Sequence, residues 1–133
     1  MNHNYKIRIY YEDTDAGGVV YYANYLKYME RARTEMLREI GFESSEVLMS
    51  KQGFVVADLS IKYKASAKLD DEITVQTGVL ALKKARLVFK QDIYKGDTLL
   101  TESEITLAYV DLTKGAVKIP GDLIDKLKDY KND

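Results

Sequence analysis

Cysteine and tryptophan are absent from this chain, histidine and proline occur once each, and glycine accounts for only eight of its 133 residues. Without cysteine there is no disulfide, no thiolate nucleophile and no thiolate-held zinc. The one histidine, His3, lies in a polar N-terminal stretch whose position predicts mobility. A Ser-His-Asp triad or a two-histidine metal site therefore cannot be assembled within one chain, so no metal site is expected. Hydrolytic chemistry would fall to carboxylates, hydroxyls and backbone dipoles. Long hydrophobic runs are missing too: the opening MNHNYKIRIYY has no signal-peptide core, and no run approaches membrane-spanning length. A cytoplasmic location is the resulting expectation. A formal net charge of −1 gives no global attraction to nucleic acid.

What is present is the composition of an ordinary globular domain, 46% hydrophobic and 31% charged, over residues 1–133. Tyr5, Ile7, Ile9 and Tyr11 alternate with Lys6, Arg8, Tyr10 and Glu12, which predicts a half-buried strand. A turn-rich stretch follows at residues 13–18, with Gly17 and Gly18. The period then changes. Tyr25, Leu26, Met29, Ala32, Met36, Leu37 and Ile40 recur at helical steps, Gly41 supplies a stop, and Arg31 is spaced to pair with Glu35.

Residues 54–111 read as four strands, at about 54–63, 73–83, 86–94 and 99–111, with joints short enough for antiparallel neighbours. A short helix is expected after Pro120, with Asp122 as N-cap and Leu123, Ile124, Leu127 and Tyr130 facing inward. The class is α+β, one main helix against a five-stranded antiparallel sheet. In the stretch 73–83 both faces are apolar, which one helix cannot cover, so a second subunit is expected against that strand.

The chemistry-bearing stretch runs from Asp13 to Tyr25: carboxylates, two glycines, two valines, then the start of the long helix. It delivers Asp15 close to a helix N-terminus, where unpaired N–H groups and the helix dipole favour negative charge. A thioester oxygen becoming an oxyanion is such a charge. The run YYEDTDAGGVVYYANYL at residues 10–26, continued by YMERAR at 28–33, resembles the signature of the YbgC and 4-hydroxybenzoyl-CoA thioesterase family, and the similarity extends through Tyr63 to Asp71 and the hairpins beyond.

That resemblance implies a hotdog fold, a curved sheet wrapped around a long central helix. It also implies dimers or tetramers with active sites at subunit interfaces, and an acyl-CoA substrate with no cofactor. Asp15 matches the family's catalytic aspartate, and Tyr22 the position whose backbone amide polarises the thioester carbonyl. Two departures stand out. YbgC-like members commonly carry histidine where this chain has Tyr22, although the 4-hydroxybenzoyl-CoA branch carries tyrosine there. Ser66 replaces a proline that usually precedes the Asp70–Asp71 turn.

An aspartate in a turn commonly does no more than cap nearby N–H groups, and it is the family match that singles out Asp15. Asp13 reads as structural, Tyr21 and Tyr25 as core or interface aromatics, and Glu30 as a solvated or ion-paired residue rather than an alternative acid. Lys62, Lys64, Lys68, Lys83, Lys84 and Arg86 gather at strand ends. Among them Lys83, Lys84 and Arg86 are candidates to hold coenzyme A phosphates. The leading expectation is an acyl-CoA thioesterase. Its rivals are a hotdog dehydratase, which the missing histidine near the helix disfavours, and a non-catalytic acyl-CoA or acyl-carrier-protein binding subunit in lipid synthesis.

Overall fold

The computed structural model describes residues 1–131, with Ser44 and Leu48 described through their backbone alone. The first strand, β1 (His3–Arg8), is shorter than its alternation suggested. Tyr11–Asp13 forms a 3-10 turn instead, because the Asp13 carboxylate accepts the Tyr10 N–H at 2.8 Å and this local bond outcompetes the ladder. Tyr11 consequently leaves the inner face and is 82% exposed.

The main helix, α1 (Asn24–Glu39), buries Tyr25, Met29, Ala32, Met36 and Leu37 of the expected stripe and Tyr28 besides, while Leu26 and Ile40 pack partly buried against the core. Its end is a Schellman motif: Gly41 takes φ 92°, its N–H reaches Arg38 O at 3.0 Å, and the Phe42 N–H reaches Leu37 O at 2.8 Å. Glu35 pairs with Arg38 at 3.5 Å rather than with Arg31. A second helix, α2 (Ser44–Ser50), follows where the sequence pattern had assigned none.

The four expected strands are β2 (Gln52–Tyr63), β3 (Glu72–Leu82), β4 (Arg86–Lys95) and β5 (Thr98–Asp111), each within two residues of its expected bounds. A two-residue strand, β6 (Gly115–Ala116), is added beside β5. In α3 (Gly121–Leu127) the cap position belongs to Pro120, whose carbonyl accepts the Ile124 N–H at 3.1 Å. Asp122, expected there, falls in the first turn, where a negative charge suits the helix dipole. Leu123, Leu127 and Tyr130 are buried as expected, and Ile124 is half-buried.

The strand order is β1-β3-β4-β5-β2, every pair antiparallel, with α1 against β1 and β3. Under the helix sits a polar pin that periodicity did not mark. Gln91 of β4 is fully buried; its Nε2 donates to Met29 O at 3.1 Å and to Thr77 Oγ1 at 3.0 Å, and its Oε1 accepts Arg33 at 2.9 Å. Satisfied in this way, Gln91 fixes the helix over the sheet instead of costing stability.

Two expectations are corrected. His3 is not mobile: it is 6% exposed, opposite Thr77 in the ladder, 3.1 Å from Glu39 and edge-on to Tyr130. The two-faced strand is explained by a bulge between Val79 and Ala81, which turns Leu80 outward and lets Leu82 pack on the core. Within the sheet, uncovered apolar surface lies mainly on β2, an edge strand, where Val55 and Val56 before a second bulge between Val56 and Asp58, and Leu59 and Tyr63 after it, are exposed. Among the described residues no helix is long and apolar enough to cross a membrane.

Candidate active site

Asp15 stands on a small antiparallel ladder of its own. Thr14 bridges Val20, the Asp15 N–H donates to Val19 O at 2.9 Å, and Val19 in turn bridges Lys68. The turn closes through Gly18, whose N–H donates to Asp15 O at 3.0 Å and whose φ of 81° suits glycine. The Val20 N–H reaches Ala67 O at 2.9 Å, so the ladder is fastened to the segment that leads into β3. One oxygen of Asp15, Oδ1, accepts the Gly17 N–H at 2.8 Å. That single bond aims the carboxylate without burying it. Tyr11, Thr14, Ala16, Gly18 and Leu69 line the open depression of ≈ 380 Å³ that it shares.

Tyr22 lies just past this ladder. The cap of α1 is Ala23, which makes no side-chain cap bond, so Tyr22 precedes the helix and is not in its first turn. Tyr21 N–H donates to Asp13 O at 3.0 Å and Asn24 N–H to Tyr21 O at 2.9 Å, whereas among the described residues the Tyr22 amide donates to no backbone carbonyl. An uncapped helix start with an uncommitted N–H beside it is a place for developing negative charge. The Tyr22 ring is exposed, edge-on to Tyr63 at 6.1 Å and tilted against Tyr21 at 5.0 Å.

Beneath the loop two tyrosines are buried. Tyr25 is buried and its hydroxyl accepts the Ala67 N–H at 3.0 Å; burial, partly offset by that bond and reinforced by the charge of Asp71, raises its pKa. Tyr28 is buried too, and desolvation first, then the Asp13 carboxylate, push its phenol well above the ordinary value. Sequence reasoning named Tyr25 as a core or interface aromatic but missed Tyr28; its place on the helical stripe was the available signal.

Lys83, Lys84 and Arg86 are exposed on the turn between β3 and β4, where the Lys83 N–H donates to Arg86 O at 2.9 Å. The Asp15 loop is fastened near the opposite end of β3, and that strand of 11 residues spans roughly 33 Å. The structure therefore does not bring these three residues to Asp15 within one chain. Lys68, bridged to Val19, is a basic residue beside the loop. Glu30 faces elsewhere, into a cavity of ≈ 240 Å³ that it shares with Arg33, Thr34, Phe54 and Val56. His3 contacts Glu39, the last residue of α1, and so lies at the helix end opposite Asp15.

The sequence model of the thioesterase superfamily matches residues 17–102, beginning two residues after Asp15. An acyl-CoA thioester hydrolase, YbgC, of Escherichia coli is 45% identical over 109 residues, covering 81% of each chain. An acyl-CoA thioesterase, YbgC, of Haemophilus influenzae is 46% identical over 112 residues, 84% of this chain and 82% of its own. Among solved structures, a probable thioesterase from Bartonella henselae superposes with a TM-score of 0.86 at 31% identity, over 90% of this chain and 100% of that one. The curled sheet around α1 is thus the hotdog arrangement that the resemblance implied.

Proposed function

The chain belongs to the thioesterase superfamily, and on that premise we propose that it hydrolyses an acyl-CoA to a carboxylic acid and free coenzyme A, with Asp15 as the reacting carboxylate. The observation that carries the reading is the placement of Asp15: a carboxylate held by one N–H in an open depression, on the ladder that leads into an uncapped helix. Two routes use the same oxygen. As nucleophile, Asp15 attacks the thioester carbon, the C–S bond breaks, and water then hydrolyses the resulting anhydride. As general base it takes a proton from the water that attacks the same carbon. In both, the Tyr22 N–H holds the oxygen that gains the charge.

The proposal extends to assembly and location. An apolar edge strand of 12 residues invites pairing, and we assign β2 to an interface with a second copy, giving at least a dimer. Coenzyme phosphates meet Lys68 from the same chain, while Lys83, Lys84 and Arg86 reach a coenzyme only in a neighbouring subunit's site. Cytoplasm is the setting in which such a substrate is met. The dehydratase alternative loses ground because His3 sits at the wrong end of α1.

Release of free thiol from a panel of short, long and aromatic acyl-CoA substrates tests the reading. Turnover of at least one member is expected. Tight binding without thiol release across the panel would instead make the chain a binding subunit.

A further inference from the structure

Asp13 lies two residues before Asp15, yet it is not part of the depression that Asp15 lines. Its polar atoms are committed to the segments on either side of the site. Oδ2 accepts the Tyr10 N–H at 2.8 Å, and Oδ1 accepts the Asn24 side-chain amide at 3.3 Å. The Asp13 carbonyl accepts the Tyr21 N–H at 3.0 Å and the same Asn24 amide at 3.4 Å. Its own N–H closes the 3-10 turn onto Tyr10 O at 3.0 Å. Below, the buried Tyr28 hydroxyl lies against this carboxylate without completing a well-formed hydrogen bond.

These bonds have a geometric consequence. Asn24 is the first residue of α1, and Tyr21 directly precedes Tyr22. Asp13 is therefore fastened both to the helix start and to the strand of chain that carries the Tyr22 amide, while Asp15 follows it by two residues. Displacing Asp13 moves the carboxylate of Asp15 relative to the amide of Tyr22. An anchor serving stability alone would have no reason to span these two segments in particular.

We propose that Asp13 is a positioning residue of the active site: through the Asn24 side chain it locks the Asp15 loop to the first residue of α1 and so sets the distance between carboxylate and oxyanion donor. The inference rests on the reading of Asp15 as the reacting carboxylate. Asp13 itself touches no substrate atom; it acts through the loop.

Steady-state kinetics on an accepted acyl-CoA test this with Asp13→Asn, Asn24→Asp, the reciprocal exchange of both, and Asn24→Ala. In Asp13→Asn a donor faces either the Tyr10 N–H or the Asn24 amide, and in Asn24→Asp two carboxylates face each other. In the exchange, the amide introduced at position 13 can donate to the carboxylate introduced at position 24 while still accepting from Tyr10. Each single variant should lose on the order of 10- to 100-fold in kcat with KM little changed, as expected for sub-ångström misplacement of a reacting group. The exchange should recover part of that loss; the bond from residue 24 to the carbonyl of residue 13 does not return, so recovery is incomplete.

Asn24→Ala removes both bonds from the Asn24 amide and leaves the Asp13–Tyr10 contact intact. It should show the same kcat loss, and it supplies the test should Asp13→Asn fail to fold. Parent kcat in Asn24→Ala, a loss confined to KM, or an exchange that recovers nothing would overturn the proposal. Asp15→Asn assayed in parallel separates the two readings. If it keeps full activity, the assignment of Asp15 fails; if it is inactive while Asp13 and Asn24 variants are unaffected, only the positioning role fails.

Discussion

The hydroxyl of Tyr63 donates a hydrogen bond to the backbone carbonyl of Tyr22 at 3.3 Å, joining the last residue of β2 to the residue before the cap of α1. With the Tyr21 N–H held by Asp13 and the Tyr21 carbonyl held by Asn24, the backbone around Tyr22 is fixed on both sides. Rigidity of this kind matters for an oxyanion donor, which must already point at the reacting oxygen before charge develops.

In the proposed mechanism the contribution of Tyr22 is its N–H. Tyr22→Phe should keep kcat/KM within about tenfold of the parent, roughly 1.4 kcal/mol in the barrier. Tyr22→Pro removes the donor and should lose far more, in protein whose circular dichroism still reports a folded chain. A Phe variant as inactive as one lacking the Asp15 charge would assign the chemistry to the phenol.

Lys68 is bridged to Val19 beside the loop. Lys68→Ala should raise KM for acyl-CoA about two- to fivefold at low salt, under about 1 kcal/mol as expected for an exposed charge pair, with the difference shrinking as salt is added. Unchanged KM at low ionic strength would remove Lys68 from the coenzyme site.

The turn beside the loop gives a pH dependence. Burial opposes ionisation of Asp71, but the Lys95 ammonium at 2.9 Å and the Lys68 N–H at 2.8 Å outweigh it, and its pKa falls below the ordinary value. A carboxyl whose folded pKa is lowered contributes stability above its unfolded pKa of about 3.9 and loses it as pH falls through the folded value. Asp71→Asn should thus unfold more easily than the parent at pH 7, by about 1–2 kcal/mol, and the gap should close in acid. Denaturant midpoints at neutral and acid pH measure this; an equal gap at both would deny the carboxylate its role.

For the edge strand, light scattering at micromolar concentration should report a dimer or larger for the parent and a smaller species for Val55→Lys/Leu59→Lys. Both residues are already exposed in the single chain, so these lysines leave its core intact. A monomeric parent would contradict the interface on β2.

Much of the fold was legible because its signals are local and repeated. The stripe from Tyr25 to Leu37 holds its period over several turns, and Gly41 stands where a Schellman motif needs it. What stayed hidden depends on partners distant in sequence. His3 looks like a polar terminus until Thr77 and Glu39 close around it, and Gln91 looks like a surface residue until Met29, Thr77 and Arg33 satisfy it. The bulge at Val79/Ala81 showed only as a stretch apolar on both faces, which does not distinguish a bulge from a face covered by another subunit, and the bulge at Val56/Asp58 sits within a run whose alternation continues past it. At the proposed site, it is the long run around Asp15 that singles it out, and not its own chemistry. Lys83, Lys84 and Arg86 cluster in sequence, but charge clustering says nothing about which end of a strand it decorates, and the fold puts them at the end of β3 away from the Asp15 loop.

The most direct measurement is kcat for Asp15→Asn on an accepted acyl-CoA, with folding checked by circular dichroism. The amide oxygen can still accept the Gly17 N–H, so the turn is kept and only the charge is lost. The account predicts a loss of about 100-fold or more, at least roughly 2.7 kcal/mol in the barrier. A folded Asp15→Asn protein that releases coenzyme A at the parent rate would contradict it.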